Sequence, residues 1–370
     1  MGFDGCAARG DRRLVPGRRV RVAVRGAVLG RGGAGRGPRG GGHGGERAVR
    51  AADRGRLAHP GGPILGVRAR RPGGRRGSRH LPRDLRQARV GQGLYIPLID
   101  EHAGMVNDPV LLKLAENRFW LSIADSDVLL WAKGLAVGAG LDVVVNEADV
   151  APLAIQGPKA GQLMASLVGD QIQLLPYFGF AMFDLLGTSQ LIARSGYSKQ
   201  GGFEIYLAGG EMGSDLWDLI WDAGQPYNIK PGCPNLIERI EGGLMSYGNE
   251  FTLANNPLEC GFERLCHLGD EINYIGRAAL RQIAADGPVQ SIRGIRFGGD
   301  KAPSCGKPFP VTDLHGVPVG QITSGIYSPR LNCNIGMSMI RKTHWDYDTS
   351  LLVHTPDGLV RDAVVSKLPF

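Results

Sequence analysis

The chain has 370 residues, 43% of them hydrophobic and 21% charged, with a formal net charge of +8. That surplus belongs to one end, since residues 1–80 hold 20 Arg against four acids while the remainder, with 23 basic and 31 acidic residues, is net −8. The basic total therefore does not point to a nucleic-acid partner for the body, and with no run of 18 apolar residues a transmembrane helix is excluded.

The head, residues 1–80, contains 22 Gly, 10 Ala and 5 Pro beside its 20 Arg, and no Lys, Asn, Gln, Thr, Tyr or Trp. Three readings stay open. A Gly-rich, charge-rich, aromatic-poor segment buries too little apolar surface to offset its ordering entropy, which gives a disordered arm. An RNA-binding arm would interleave stacking aromatics, and Phe3 is the one aromatic here. Arg, Gly, Ala and Pro are also the residues of GC-rich codons, so the head matches a GC-rich gene read out of frame. Its first 30 residues lack the apolar core of a signal peptide. The six cysteines show no C-x-x-C spacing and read as free thiols of a reducing cytoplasm.

The body is expected to be α+β, with residues 81–290 forming two lobes, the first incomplete, and residues 291–370 a small β-barrel. Tyr95, in GQGLYIPLID, is either a stacking ring or core. Asn107-Asp108 before Pro109 reads as an Asx turn or as a polar pair at the mouth of a hairpin formed by residues 110–116 and 119–123. Asp125 or Ser126 is placed to cap a helix to about Lys133, and residues 141–145 return as a strand. A buried strand at residues 151–156 precedes a helix starting at Gly157-Pro158, with Leu163, Met164, Leu167 and Val168 on its apolar face.

In ARSGYSKQGGFEIYL, residues 193–207, Gly201-Gly202 permits a tight turn and the alternation after it puts Glu204 and Tyr206 on one strand face. A carboxylate beside a phenol is a grip for a flat, hydrogen-bonding ring; a solvent-facing strand side is the alternative. Further helices are expected at residues 215–221, 236–245 and 277–283, with Arg239 and Glu241 as diverging helix-surface charges. Five strands follow, at residues 292–297, 317–322, 335–340, 351–353 and 360–364. No phosphate loop, nucleophile elbow or metal-ligand spacing occurs.

The ordered blocks GLYIPLIDEHAGMVNDP, APLAIQGPKA, SGYSKQGGFEIYL, NLIERIEGGLMSYGNE and GQITSGIYSP span nearly the whole body and resemble the folate-binding aminomethyltransferases, the glycine cleavage T-protein and its relatives. SIADSDVLLW, CPNLIERIEGG and MIRKTHWD are most similar to the branch that demethylates dimethylsulfoniopropionate. The resemblance implies tetrahydrofolate as methyl acceptor, Glu204 as pterin anchor, and Tyr95, Tyr197 and Tyr206 lining the cavity. It sets Asn107 where the glycine-cleavage enzymes carry an Asp, which argues for transfer of an intact methyl from a small sulfonium carboxylate rather than methylene chemistry. Asp108 then offers charge to the sulfonium, with Trp120 and Trp131 as candidate cation–π faces. Asn235 replaces an Arg near the folate tail. An aminomethyltransferase and a non-enzymatic folate-binding protein are the alternatives. The head shows none of the family's N-terminal pattern, so part of the donor pocket is expected to be missing; the oligomeric state stays open.

Overall fold

The computed structural model describes residues 21–23, 64–69, 81–123, 128–208, 210–232 and 236–370. The expected cap at Asp125 or Ser126, Asn235, and most of the head lie outside these residues. Two stretches of the head are exceptions to its unstructured reading: β1 (Arg21–Ala23) and β2 (Ile64–Ala69) are strands. The second reads ILGVRA, the most β-suited stretch of that region, and its Ile64 is buried.

The first lobe follows with β3 (Gly93–Tyr95), β4 (Leu98–Ile99), β5 (Met105–Asn107), β6 (Val110–Ala115), β7 (Arg118–Ser122), α1 (Val128–Gly138) and β8 (Val143–Glu147). The β6–β7 hairpin falls where the apolar runs predict it, while α1 runs five residues beyond Lys133. The sheet order is β3-β6-β7-β2-β8, so the head strand β2 sits between β7 and β8, antiparallel to both. Strands β4 and β5 form a separate short ladder that presents Asn107 and Asp108.

The second lobe comprises β9 (Val150–Gln156), α2 (Ala160–Val168), β10 (Phe180–Leu185), β11 (Thr188–Ala193), β12 (Gly202–Ala208), α3 (Gly213–Gly224), β13 (Lys230–Gly232) and α4 (Leu236–Glu241). Helix α2 starts two residues after Pro158, and its Leu163 and Met164 are fully buried, as its apolar spacing requires. The hairpin β10–β11 is not legible in the sequence; its turn uses Leu186 and Gly187, both at positive φ. Sheet order is β10-β11-β12-β9-β1-β13. Strand β12 is buried along both faces. Phe203, Ile205 and Leu207 join the helix-side core with Leu163 and Ile220, whereas Tyr206 meets Ile64, Leu112 and Phe180 on the side of the first sheet. The alternation is as expected, but neither face is solvated.

Helix α5 (Arg277–Asp286) leads to β14 (Gln290–Phe297), β15 (Phe309–Thr312), β16 (Pro318–Ser328), β17 (Cys333–Arg341), β18 (Ser350–His354) and β19 (Val360–Ser366). They close a barrel in the order β14-β17-β16-β15-β18-β19 around Ile295, Phe309, Val311 and Val353. It has six strands where the sequence suggests five, because β15 contains Pro310 and so reads as a break. Among the described residues, no helix is long and apolar enough to cross a membrane, and Cys260, Cys266, Cys305 and Cys333 are free thiols.

Arg239 and Glu241 are not surface charges. Helix α4 ends at Glu241, before Gly242-Gly243, and lies in the seam between the second lobe and the barrel. Arg239 is 5% exposed; its Nη1 donates to Glu250 Oε2 at 2.9 Å and its Nη2 to Ser324 Oγ of β16 at 2.5 Å. Ser324 in turn donates to Glu250. Glu241 accepts from Ser328 and, at 2.6 Å, from Arg330 Nε. Both acids thus find barrel donors that a helix-surface reading cannot see. Because Glu250 is fully enclosed, Glu250→Gln leaves the Arg239 charge buried without its counter-ion, and the stability measured by denaturant titration is expected to fall by about 3–5 kcal/mol. A loss under about 1 kcal/mol contradicts this role for the pair.

Candidate functional site

The site is built around the segment between β11 and β12. Gln156 ends β9 at 6% exposure, and its amide holds that segment at two points and the start of β12 at a third. Its Nε2 donates to the carbonyls of Ser195 (3.0 Å) and Phe203 (3.3 Å), and its Oε1 accepts from Ser198 Oγ (2.8 Å). Gly157 N–H adds a bond to Gly201 O at 2.8 Å. Such close approach needs glycine: a Cβ at Gly196 would sit 2.1 Å from Gln156 Oε1, and one at Gly202 2.3 Å from Ile155 O.

Held this way, the segment points its side chains in two directions. Ser195 Oγ donates to Glu204 Oε2 at 2.6 Å. Tyr197 reaches to the turn after α4, donating to Met245 O at 2.5 Å and Leu244 O at 3.1 Å. Arg239 Nη1 donates to the same Leu244 carbonyl at 2.9 Å, so the seam described above fixes what Tyr197 binds.

Near Tyr197 lies Tyr95, at the end of β3, whose hydroxyl donates to the Asp108 carboxylate. Its ring stands edge-on to Phe262, with centroids 5.4 Å apart and planes at 89°. Burial, and then the Asp108 charge, hold the Tyr95 phenol well above its ordinary range. Tyr95 therefore stays a proton donor and Asp108 is the anion of the pair. At the Glu204 end, Tyr177 is 60% exposed and stacks obliquely on Phe178, centroids 4.5 Å apart. Its phenol is raised by burial and then by the Glu204 charge.

The structure thus brings Tyr95, Asp108 and Tyr197 together and ties Glu204 to them through the same short segment. It treats the other candidates differently. Asn107 is fully buried at the end of β5, and its Oδ1 accepts the Asp108 backbone N–H at 2.9 Å; this is not the bond of an Asx turn, whose donor two residues on would be Pro109, which has no N–H. Tyr206, at 2% exposure, is wedged in the core between the two sheets, with the Trp120 ring 6.0 Å away. Trp120 also lies beneath the Arg118 guanidinium, 6.0 Å from it. Trp131 packs on the first-lobe core with Leu94, Leu98 and Leu121. Gln156, Ser195, Ser198 and Tyr177 were not singled out by sequence. Only the glycines around the segment signalled a close approach; a Gln at the end of an apolar strand carries no mark of what it binds.

Replacing Gln156 by Leu keeps the bulk and removes all three bonds. The expected outcome is a stability loss of about 1–3 kcal/mol and faster hydrogen exchange at the amides of residues 195–202, read by mass spectrometry. Unchanged exchange there contradicts the clamp.

Residues 78–270 match the GCVT N-terminal domain and residues 295–370 the glycine cleavage T-protein C-terminal barrel domain. The chain is 43% identical over 278 residues to the dimethylsulfoniopropionate demethylase DmdA of Ruegeria pomeroyi, covering 75% of each. It is 31% identical over 296 residues to an aminomethyltransferase of a Synechococcus strain, covering 78% of this chain and 80% of that one. The crystal structure of the glycine cleavage system aminomethyltransferase T from Bartonella henselae superposes with a TM-score of 0.71, at 23% identity and 83% coverage of each chain, which establishes the fold. On the two domain matches and the relatives above 30% identity, the chain belongs to the glycine cleavage T-protein family.

Proposed function

We propose that this protein transfers a methyl group from dimethylsulfoniopropionate to tetrahydrofolate, forming methylthiopropionate and methyltetrahydrofolate. As a member of the T-protein family it is a folate-dependent transferase; the choice of donor is the finer reading. The observation that carries it is the pair at positions 107 and 108. Asn107 is neutral and buried at the end of β5, while the Asp108 carboxylate accepts the Tyr95 hydroxyl. The relative from Ruegeria pomeroyi, by name a dimethylsulfoniopropionate demethylase, supports the same choice.

The residues present fit tetrahydrofolate. Glu204 is 8% exposed with one oxygen engaged by Ser195, and a carboxylate so placed suits the paired N–H edge of a pterin ring. Tyr177, near Glu204, and Tyr197, two residues after Ser195, supply aromatic surface. When bound, tetrahydrofolate supplies the nucleophilic ring nitrogen. The methyl–sulfur bond breaks with its electron pair going to sulfur, which leaves as neutral sulfide, and the nitrogen gives up its proton once methylated.

No group needs to be protonated for the leaving sulfide to depart, so the protein's task is alignment and charge placement. A carboxylate about 5 Å from a sulfonium, at an effective dielectric of about 20, contributes about 3 kcal/mol. An aromatic face contributes about 0.5–2 kcal/mol. Asp108 therefore outweighs any single ring as the sulfonium partner. The sulfonium charge falls as the methyl leaves, so this attraction is stronger in the bound donor than in the transition state and acts on binding more than on turnover. The free thiols suit a reducing, cytoplasmic setting.

Steady-state kinetics with dimethylsulfoniopropionate and tetrahydrofolate test the reading. Asp108→Asn keeps a hydrogen-bonding group for Tyr95 and removes the charge. The expected result is a KM for the sulfonium raised about tenfold or more, with kcat changed by less than about threefold. A fall in kcat at unchanged KM instead assigns Asp108 to proton handling, the behaviour of an aminomethyltransferase, for which the Synechococcus relative speaks. Turnover by the folded protein of an aminomethylated lipoyl carrier, and not of the sulfonium, overturns the proposal.

A further inference from the structure

A cavity of about 560 Å³ lies apart from the Tyr95–Glu204 site, where the turn after α4, the start of β14, the segment before β18 and the C-terminal tail meet. Neither Tyr95, Asp108, Tyr177, Tyr197 nor Glu204 lines it. Its volume is that of a small-molecule site, which typically encloses about 300–1,000 Å³ with an apolar lining and a few placed polar groups. Met245, Phe262, Ile292 and Leu368 supply apolar surface, and Trp345 and Tyr347 supply aromatic faces.

The one cation in the lining is Arg293. Its guanidinium lies over both aromatic rings, 5.3 Å from the Trp345 centroid and 5.5 Å from that of Tyr347. Three bonds fix it: Nε donates to Trp345 O at 2.8 Å, and Nη1 donates to Ser291 Oγ at 2.6 Å and Ile292 O at 2.9 Å. Among the described residues, Nη2 has no hydrogen-bond partner and the guanidinium has no carboxylate partner. A second cation, Lys367, stands with Nζ 5.4 Å from the Tyr347 ring. The one acid in the lining, Glu263, is exposed and solvated. A guanidinium oriented by two backbone carbonyls and a hydroxyl, braced on two aromatic faces and left with one N–H₂ group to spare is a preformed anion partner. The surrounding lining suits a flat apolar body.

We propose that this cavity is a second small-molecule site, taking an organic carboxylate with a flat apolar body whose carboxylate is held by Arg293 Nη2. Two of its walls are shared with the reaction site. Phe262 meets Tyr95 edge-on, and the Met245 carbonyl accepts the Tyr197 hydroxyl. An occupant therefore rests against the groups that hold both tyrosines.

Isothermal titration calorimetry on the full chain tests the site with naphthalene-2-carboxylate as probe and naphthalene-2-carboxamide as its uncharged equal in shape. The carboxylate is expected to bind at least tenfold more tightly than the amide. Arg293→Met, which keeps the unbranched stem, is expected to remove that preference while weak binding of both probes remains. Leu368→Trp, which fills the cavity from the tail without touching Arg293, is expected to abolish binding of both. Equal affinity for carboxylate and amide in the unaltered protein overturns the proposal, as does a preference that survives Arg293→Met or full binding in Leu368→Trp. The unaltered protein alone decides the first point, whatever the variants do to folding. None of these outcomes depends on which methyl donor the reaction uses.

Discussion

The amide of Gln156 is the constraint on which the arrangement of the site depends. One side chain, at the end of a strand in the middle of the second sheet, holds a carbonyl and a hydroxyl of the segment that crosses to β12 and a carbonyl at the start of that strand. Fixing that segment decides in one step where Ser195 and Tyr197 point, and so joins Glu204 to the Tyr95–Asp108 pair. A buried amide with every bond made is specific because any other conformation leaves several polar groups without partners. The glycines at 196 and 202 belong to the same device, since a Cβ at either would occupy the space of the clamp or its strand.

A second constraint reaches in from the barrel. Ser324 stands where the β16–β17 register shifts, and it meets both members of the Arg239–Glu250 pair. Arg239 shares the Leu244 carbonyl with Tyr197, so the barrel and the second-lobe segment that carries Tyr197 connect through a handful of bonds. Buried ion pairs are weak evidence of net stability but strong evidence of a fixed geometry here, because breaking one leaves a charge with no solvent to receive it. The barrel thus acts on the site by holding a wall of it in place.

Much of this was legible in the sequence, and the failures have physical causes. Alternation and apolar spacing located the β6–β7 hairpin, β9, α2 and most barrel strands, since those elements bury one face as their patterns imply. Strand β15 was hidden by Pro310, and β10–β11 by a turn built on Leu186-Gly187 rather than on a familiar dipeptide. Gly201-Gly202, Glu204, Tyr95 and Asp108 carried signals of close approach or of chemistry in their immediate neighbours. Arg239 and Glu241 did not: nothing in the pattern pairs Arg239 with Glu250, 11 residues on, and their barrel partners Ser324, Ser328 and Arg330 lie more than 80 residues away. Tyr206 was placed beside Glu204 by alternation and in the cavity by the resemblance, and Trp131 was a candidate by residue type; packing gave both of them core positions. Within the Arg-rich head, ILGVRA supplies β2, and the alternating VRVAV of residues 20–24 contains β1.

In the proposed function the reaction is a direct displacement of an intact methyl group, with charge placement by Asp108 and ring alignment by Glu204. Dimethylsulfoniopropionate with both S-methyl groups trideuterated, incubated with the purified protein and tetrahydrofolate and followed by mass spectrometry, tests that most directly. The predicted result is methyltetrahydrofolate that retains all three deuterons, formed in equal amount with methylthiopropionate. Deuterium loss on transfer, or a folded protein that yields methylenetetrahydrofolate from an aminomethylated carrier and nothing from the sulfonium, contradicts it.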